Sequence, residues 1–350
     1  MQSSFHFYNK ARESYSQHQL PTALTYVILH LKLHPLDVNA LILKGNCQSL
    51  HKQYEQACIS YKKAISINPN LPNAFFHLGY ALSKLNKINA ALAVTSHSIN
   101  LDNNLIEAYY NKSIYQMKLG LCKDALLSLN KLLSLNPNYA DAYFQRSICL
   151  THLKRLDESL LEIEHYISLE PFNIDAYYHK GFILSSLRCY DKAVEAYERV
   201  LQINPNFINA NYNKALCYIN MKQYERAVNE LSVVINKDEN DLHSLYKRGM
   251  CYIELKLYDK AICDYDKVIG LDKRYSSAYY NKGVCLSKLH KQKEAKRAYI
   301  KAIELNGDNA IYYHSLGSCL MKLGKNKEAI AMFDKEKEII KRKKKEDKTI

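Results

Sequence analysis

One small residue returns every 34 residues along the chain, with no insertion or deletion between its occurrences. These residues are Ala11, Gly45, Gly79, Ser113, Ser147, Gly181, Ala215, Gly249, Gly283 and Gly317. A second series follows twelve residues later, and nine of its ten members are alanine: Ala23, Ala57, Ala91, Ala125, Ser159, Ala193, Ala227, Ala261, Ala295 and Ala329. A fixed period of this length predicts a stack of equivalent units instead of a globular core.

Proline marks where each unit ends. Five prolines share one further phase of the period: Pro35, Pro69, Pro137, Pro171 and Pro205. Proline lacks a backbone N–H and disfavours helical geometry in the residue before it, so it ends a helix. The pattern therefore predicts a pair of antiparallel helices per unit, in which the small residue on the first helix lets the second approach closely.

Placing the small residue at position 8 divides the chain into ten units. Their predicted bounds are 4–37, 38–71, 72–105, 106–139, 140–173, 174–207, 208–241, 242–275, 276–309 and 310–343. We predict one solenoid domain over residues 4–343, followed by a basic C-terminal tail over 344–350.

Large side chains recur in the same register. Position 4 holds Phe7, Phe75, Tyr109, Tyr143, Tyr177, Tyr279 and Tyr313, and position 24 holds Tyr61, Tyr197, Tyr265, Tyr299 and Phe333. We expect them to fill the space that the small residues open. This pattern of aromatic, small, alanine, aromatic and proline positions resembles the tetratricopeptide repeat family. The resemblance implies an all-α fold, a right-handed α-α superhelix of antiparallel helix pairs, with a concave groove that binds segments of other proteins.

The candidate binding residues lie at positions 5 and 6. Residues advance about 100° each along a helix, so position 6 points away from the packed side of position 4. In the family this face lines the groove. Position 6 is mostly polar, and we take as candidates Asn9, His77, Asn111, Gln145, His179, Asn213, Lys247 and Asn281. Position 5 supplies a second row of candidates: Tyr110, Tyr178, Tyr212, Tyr246 and Tyr280.

The two rows suit an extended peptide. A side-chain amide offers both a donor and an acceptor to a peptide backbone, and the polar row resembles the asparagine ladder of the O-linked GlcNAc transferase family. Tyrosine is a favoured interface anchor. Two alternatives remain open: the tyrosines pack against the neighbouring repeat, and the amides simply solvate the face.

The net charge and the residues at position 5 together limit the classes of partner that we expect. The net charge of +14 and the pI of about 9.1 favour acidic partners and raise the question of nucleic acid. RNA-binding helical repeats read bases through a varied polar code, whereas position 5 here is tyrosine or phenylalanine in eight of the ten units. We therefore expect other proteins, through extended or acidic segments, and the pattern disfavours nucleic acid.

One well-known groove specificity of the family is absent. The carboxylate clamp for chaperone C-terminal tails needs lysine at position 5 with asparagine at position 9, and then further asparagine and basic residues in the next two units. Asn46 is the asparagine at position 9, but its unit has Ile42 at position 5 and the next units supply His77 and Glu107. The sequence thus predicts a partner other than a chaperone tail.

We predict no catalytic role, no cofactor and no metal. The repeats use the chain, and no nucleophile–base arrangement or phosphate loop appears. The cysteines follow the period, since Cys47, Cys149, Cys217, Cys251, Cys285 and Cys319 all occupy position 10. Neighbouring equivalents should lie about 8–10 Å apart, which is too far for a disulfide. We expect them to be small packing residues.

The predicted function is that of a scaffold or adaptor that binds partner protein segments in its groove. The alternatives are an RNA-binding helical-repeat protein and a subunit of a ciliary or intracellular transport assembly. The N-terminus lacks the features of a secretory signal, and no apolar run reaches the roughly 20 residues of a membrane span. We expect no membrane insertion and a cytoplasmic location, with nucleus or cilium as alternatives, the former because of the basic run from Lys341 to Lys345.

Overall fold

A computed structural model of the protein describes residues 2–346, and their side chains from 6 to 344. Residues 347–350 of the predicted basic tail lie outside the described residues. Within residues 2–346 the chain forms twenty α-helices and no strand. Searching these helices finds none with the length and apolar character that crossing a bilayer requires. The chain divides into two compact units, Met1–Pro171 and Phe172–Ile350.

The first unit contains five helix pairs. Its helices are α1 (Gln2–Ser16), α2 (Leu20–Leu33), α3 (Val38–Leu50), α4 (Tyr54–Ile67), α5 (Pro72–Lys84), α6 (Ile88–Leu101), α7 (Ile106–Lys118), α8 (Cys122–Leu135), α9 (Ala140–His152) and α10 (Leu156–Leu169). Each helix packs against the one before it.

The second unit repeats this arrangement. Its helices are α11 (Ile174–Ser186), α12 (Tyr190–Ile203), α13 (Ile208–Asn220), α14 (Tyr224–Lys237), α15 (Leu242–Glu254), α16 (Tyr258–Leu271), α17 (Ser276–Lys288), α18 (Gln292–Leu305), α19 (Ala310–Lys322) and α20 (Asn326–Glu346). We call odd-numbered helices A-helices and even-numbered ones B-helices.

A short turn with one left-handed residue joins the two helices of each pair. In the second pair, His51, Lys52 and Gln53 separate α3 from α4, and Lys52 has φ of 60°. The Gln53 N–H then donates to the carbonyl of Gln48 at 2.8 Å, which satisfies a helix-end acceptor. The equivalent position is glycine only at Gly120 and Gly324, where φ is 75° and 72°. The other pairs tolerate a side chain in this conformation, so the turn is fixed by packing on both sides more than by glycine.

Positions 8 and 24 form the contact that sets the distance between the helices of a pair. A Cβ added at Gly181 would lie 2.6 Å from the Tyr197 ring, and one at Gly249 would lie 2.9 Å from the Tyr265 ring. Gly45, Gly283 and Gly317 face Tyr61, Tyr299 and Phe333 in the same way. The expectation that large residues fill the space above the small ones is confirmed for the aromatic residues at position 24.

The volumes at the two positions are complementary. Wherever position 24 is aromatic, position 8 is glycine. Where position 8 is alanine or serine, position 24 is aliphatic, as in the pairs Ala215 with Leu231 and Ser147 with Ile163. In nine of the ten repeats the total size is therefore similar while the residues change, as close-packed interiors require. The third repeat departs from this, because Gly79 faces Thr95.

This complementarity predicts a specific double-mutant result. Gly181→Ala should lower the free energy of unfolding by about 1–2 kcal/mol, because overpacking against Tyr197 outweighs the gain in helix propensity. Adding Tyr197→Leu, which recreates the Ala215 and Leu231 combination, should recover most of that loss. Chemical denaturation of the single and double variants measures the coupling.

Gly270→Ala is the matched control, because Gly270 is helical and exposed and a Cβ there would meet nothing within 4 Å. It should leave stability unchanged or raise it by up to about 1 kcal/mol. Additive effects of Gly181→Ala and Tyr197→Leu would contradict the complementarity.

The cysteines at position 10 are buried in the helix layers. Cys47, Cys149, Cys217, Cys251, Cys285 and Cys319 are all buried and carry free thiols, which confirms their expected role in packing. Burial raises the pKa of Cys47 and Cys251 to about 11 and that of Cys285 to about 12. Cys189 and Cys263 are exposed.

Thiol reactivity should follow this division. At about pH 8 roughly one in a thousand of the Cys47 and Cys251 thiols is ionised, and the thiolate is the reactive form. Iodoacetamide should therefore label Cys189 and Cys263 in the native protein long before the position-10 cysteines, as read by peptide mass spectrometry. Denatured protein, in which all ten cysteines should react alike, is the control. Fast native labelling of Cys285 would show that the repeats open readily.

Candidate functional site

The candidate residues of position 6 lie along one face of the A-helices. In the first unit Asn9 is exposed, while His77, Asn111 and Gln145 are half-buried. In the second unit His179, Asn213, Lys247 and Asn281 are all half-buried. Burial lowers the pKa of His77, which stacks on Tyr61 at 5.8 Å between ring centroids, so this imidazole is held in its neutral form at pH 7. We call the exposed side of the A-helices, defined by positions 2, 6, 9 and 13, the A-face.

Positions 5 and 6 are linked between successive repeats. The Nδ2 of Asn213 donates to the hydroxyl of Tyr178 at 2.8 Å, and the Nδ2 of Asn281 donates to that of Tyr246 at 3.1 Å. The hydroxyl of Ser315 likewise donates to that of Tyr280 at 3.3 Å. Each bond joins position 5 of one repeat to position 6 of the next, and we call such a pair a rung. The candidate rows at positions 5 and 6, which are separate in the sequence, are thus connected by hydrogen bonds.

The rings of the rung tyrosines pack against other aromatic residues of their own repeats. The Tyr178 ring lies 5.1 Å from that of Phe207 and 5.8 Å from that of Tyr197, and Tyr246 lies 5.2 Å from Tyr275. Burial raises the pKa of Tyr246, and it raises that of Tyr110 to about 12. These rings therefore pack inside their own repeats, and the contact of Tyr178 and Tyr246 with the neighbouring repeat is made by their hydroxyl groups.

Basic residues at position 7 form ion pairs between the helix layers. Arg248 makes two bonds to Asp264, at 2.8 and 2.9 Å, and a third to the hydroxyl of Ser232. Lys214 bridges Glu198 and Glu230 at 3.1 and 3.0 Å. Because Asp264 is buried, its pairing with Arg248 avoids the cost of an isolated buried charge. Four of the basic side chains at position 7 are thus paired with acids at positions 23 and 25, namely Arg146, Lys214, Arg248 and Lys282.

An apolar row on the A-face was not among the sequence candidates. In the first four repeats of the second unit position 9 holds Phe182, Leu216, Met250 and Val284, and in the fifth it holds Ser318. Phe182 and Met250 are 48% and 37% exposed. The rings of Phe182 and His179 stack at 6.4 Å. The signal was available in the sequence, since position 9 points to the same side as position 6 and yet carries apolar residues.

Asn46 is committed to a contact within its own repeat. Its Oδ1 accepts a hydrogen bond from the Tyr61 hydroxyl at 2.8 Å. The asparagine that a carboxylate clamp would need at position 9 is therefore engaged by Tyr61.

The repeated helix pairs, each with a small residue packed under a large one, define a helical repeat protein. Family models described as tetratricopeptide repeats match residues 110–173, 276–309 and 310–339, and one described as TPR repeat matches 51–86. The chain belongs to the tetratricopeptide repeat family, as the resemblance predicted. A model described as anaphase-promoting complex, cyclosome, subunit 3, matches residues 186–268.

Solved structures share the fold at low sequence identity. A tetratricopeptide repeat protein from Parabacteroides merdae is 16% identical over 71% of this chain and 98% of its own, with a TM-score of 0.52. MamA from Desulfovibrio magneticus is 24% identical over 49% and 96% of the two chains, with a TM-score of 0.47. YrrB, described as a TPR protein with an unusual peptide-binding site, is 22% identical over 53% and 96%, with a TM-score of 0.48. No curated protein matches the chain.

The rungs should contribute to stability, and removing a single tyrosine hydroxyl group tests this. Tyr178→Phe and Tyr246→Phe each remove a rung but keep the ring, so each should cost about 0.5–1.5 kcal/mol of unfolding free energy. Tyr212→Phe is the control, because the Tyr212 hydroxyl has no hydrogen-bond partner among residues 2–346. Equal effects of all three substitutions in urea denaturation would argue against the rungs.

Proposed function

We propose that the protein is a non-catalytic scaffold that holds extended segments of other proteins on its A-face. The observation that carries the proposal is the combination of half-buried amides at position 6 with partly exposed apolar side chains at position 9 on that face. Peptide sites combine backbone hydrogen bonds, which give affinity, with apolar pockets, which give specificity. The two rows offer both.

The amides retain capacity for a partner after the rungs form. Asn213 gives one N–H to Tyr178, which leaves its second N–H and its carbonyl oxygen. The tyrosine thereby fixes the amide in one orientation before a peptide arrives. A group that is already ordered loses less conformational entropy on binding.

The distance between repeats determines which residues of a bound segment meet equivalent amides. Successive helix pairs pack about 8–10 Å apart, and an extended chain advances about 3.3 Å per residue. Every third residue of the segment would then meet an equivalent amide. Lys247 adds a positive charge on this face and forms no ion pair within residues 2–346, so it favours an acidic side chain near the eighth repeat.

The test compares two sets of variants in affinity capture from an extract of cells that express the protein. The first changes Asn111, Asn213 and Asn281 to alanine together. The second, Tyr178→Phe with Tyr246→Phe, breaks two rungs and keeps the amides. Nuclease treatment of a parallel sample and a melting curve for each variant serve as controls.

We expect specific proteins to be lost from the alanine variant, retained by the tyrosine variant and unaffected by nuclease. Unchanged capture by a folded alanine variant would rule out the position-6 amides as the binding groups. Capture that nuclease abolishes would favour the RNA-binding alternative.

A further inference from the structure

Two cysteines on neighbouring helices of the first unit lie in the same apolar cluster. Cys122 is the first residue of α8, and Cys149 lies on α9. Cys122 packs against a group of buried residues that consists of Ala125, Leu126, Cys149 and Leu150. The two cysteines belong to successive repeats, so the cluster joins the B-helix of the fourth repeat to the A-helix of the fifth.

The register of the repeat places these two cysteines in contact. Cys122 is at position 17 and Cys149 at position 10 of the next repeat, and Gln292 and Cys319 occupy the same two positions further along the chain. The Sγ of Cys319 donates to the carbonyl of Gln292 at 3.2 Å. A position-10 sulfur thus reaches the backbone from which the side chain of position 17 starts. The spacing of about 8–10 Å between successive position-10 cysteines does not apply to this pair, because its members occupy different positions.

The thiol of Cys149 is affected by that of Cys122. Burial raises the pKa of Cys149 to about 12, and the neighbouring Cys122 thiol contributes to the increase. Such an effect acts only over a short distance. The two sulfur atoms are therefore near each other.

This arrangement occurs at one junction between repeats. Six repeats have a cysteine at position 10, and in the other five the residue at position 17 of the preceding repeat is not cysteine. The five pairs are Leu20 with Cys47, Tyr190 with Cys217, Tyr224 with Cys251, Tyr258 with Cys285 and Gln292 with Cys319. These five junctions are internal controls for the chemistry of Cys122 and Cys149.

The two thiols differ in their access to solvent. Cys122 is partly exposed, whereas Cys149 is buried. An oxidant dissolved in water therefore reaches Cys122 first. The neighbouring Cys149 can then react with the oxidised sulfur, because two groups held close together have a high effective concentration. An accessible thiol beside a second, resolving thiol is the usual arrangement of a redox-sensing cysteine pair.

We propose that Cys122 and Cys149 form a reversible disulfide when the protein meets a peroxide. The Cys122 thiolate attacks one oxygen of hydrogen peroxide, the O–O bond breaks, and the other oxygen leaves as hydroxide and takes up a proton to become water. Cys122 then carries a sulfenic acid. Cys149 loses its proton to solvent and attacks the Cys122 sulfur, so that the S–S bond forms, the S–O bond breaks and a second water leaves. The two sulfurs together lose two electrons, and these reduce the peroxide to water.

The disulfide would hold α8 and α9 together covalently. Helix α9 also carries Gln145, a candidate binding residue of the A-face that lies about one helical turn before Cys149. The bond would therefore restrict movement between the fourth and fifth repeats and leave the amides chemically unchanged. The proposal is independent of the scaffold function, since neither cysteine is among the candidate binding residues.

The test treats the reduced full chain with hydrogen peroxide. After catalase removes the peroxide, N-ethylmaleimide in denaturant blocks the remaining thiols, and the protein is digested without reductant. Mass spectrometry then identifies peptides that are joined by a disulfide. The variants Cys122→Ser and Cys149→Ser are treated in the same way, and parallel samples contain dimedone, which captures a sulfenic acid.

We expect the peptides of Cys122 and Cys149 to be joined in the native chain, and dithiothreitol to separate them. Cys149→Ser should accumulate the dimedone adduct at Cys122, because the resolving thiol is missing. Cys122→Ser should leave Cys149 reduced, as buried Cys47, Cys251 and Cys285 should remain in every sample.

Three results would overturn the proposal. The first is a native chain in which peroxide forms no bond between Cys122 and Cys149. The second is equal oxidation of Cys149 in the Cys122→Ser variant, which would show that Cys149 reacts without its neighbour. The third is equal oxidation of the position-10 cysteines at the five control junctions.

Discussion

The contact between positions 8 and 24 is the constraint on which the rest of the structure depends. A glycine within a helix costs about 1 kcal/mol relative to alanine, yet Gly45, Gly181 and Gly249 occur in the middle of A-helices. They lie under Tyr61, Tyr197 and Tyr265, whose rings are almost fully buried. The cost in helix propensity is thus offset by burying a large aromatic side chain. Where a large residue at position 24 faces a small one at position 8, the two helices of a pair can therefore approach closely.

Features within one repeat could be predicted from the sequence, and features that join two repeats could not. The helix pairs, the small-to-large packing and the burial of Cys47 or Cys285 follow from one position read down the period. The bond from Asn213 to Tyr178 joins residues 35 apart, at two different positions of successive repeats. Comparing the residues at one position of the repeat at a time cannot reveal this bond. Arg248 and Asp264 lie within one repeat, but their ion pair joins position 7 to position 23, so it is likewise not visible when one position is considered at a time.

The rungs give the proposed binding residues a second task. Tyr178 and Tyr246 pack against aromatic residues of their own repeats. Their hydroxyls accept hydrogen bonds from the amides of the next repeat. A partner that bonds to Asn213 or Asn281 would therefore also stabilise the contact between adjacent repeats. Binding energy and cohesion between repeats would then be coupled, since a ligand that binds the ordered form shifts the equilibrium toward it. Loss of a rung would be expected to weaken binding slightly even where the amide remains.

One repeat differs from another in the residues at positions that take no part in packing. Position 22 shows this most clearly, because Leu127 and Arg297 occupy equivalent places on B-helices with the same core residues at position 20. Helix formation is served by either residue, and solubility favours the charged one. Helix α8 packs against α7, and α18 likewise packs against α17. Residues at position 22 can therefore differ between repeats without any change in the helix pairs that the repeats form.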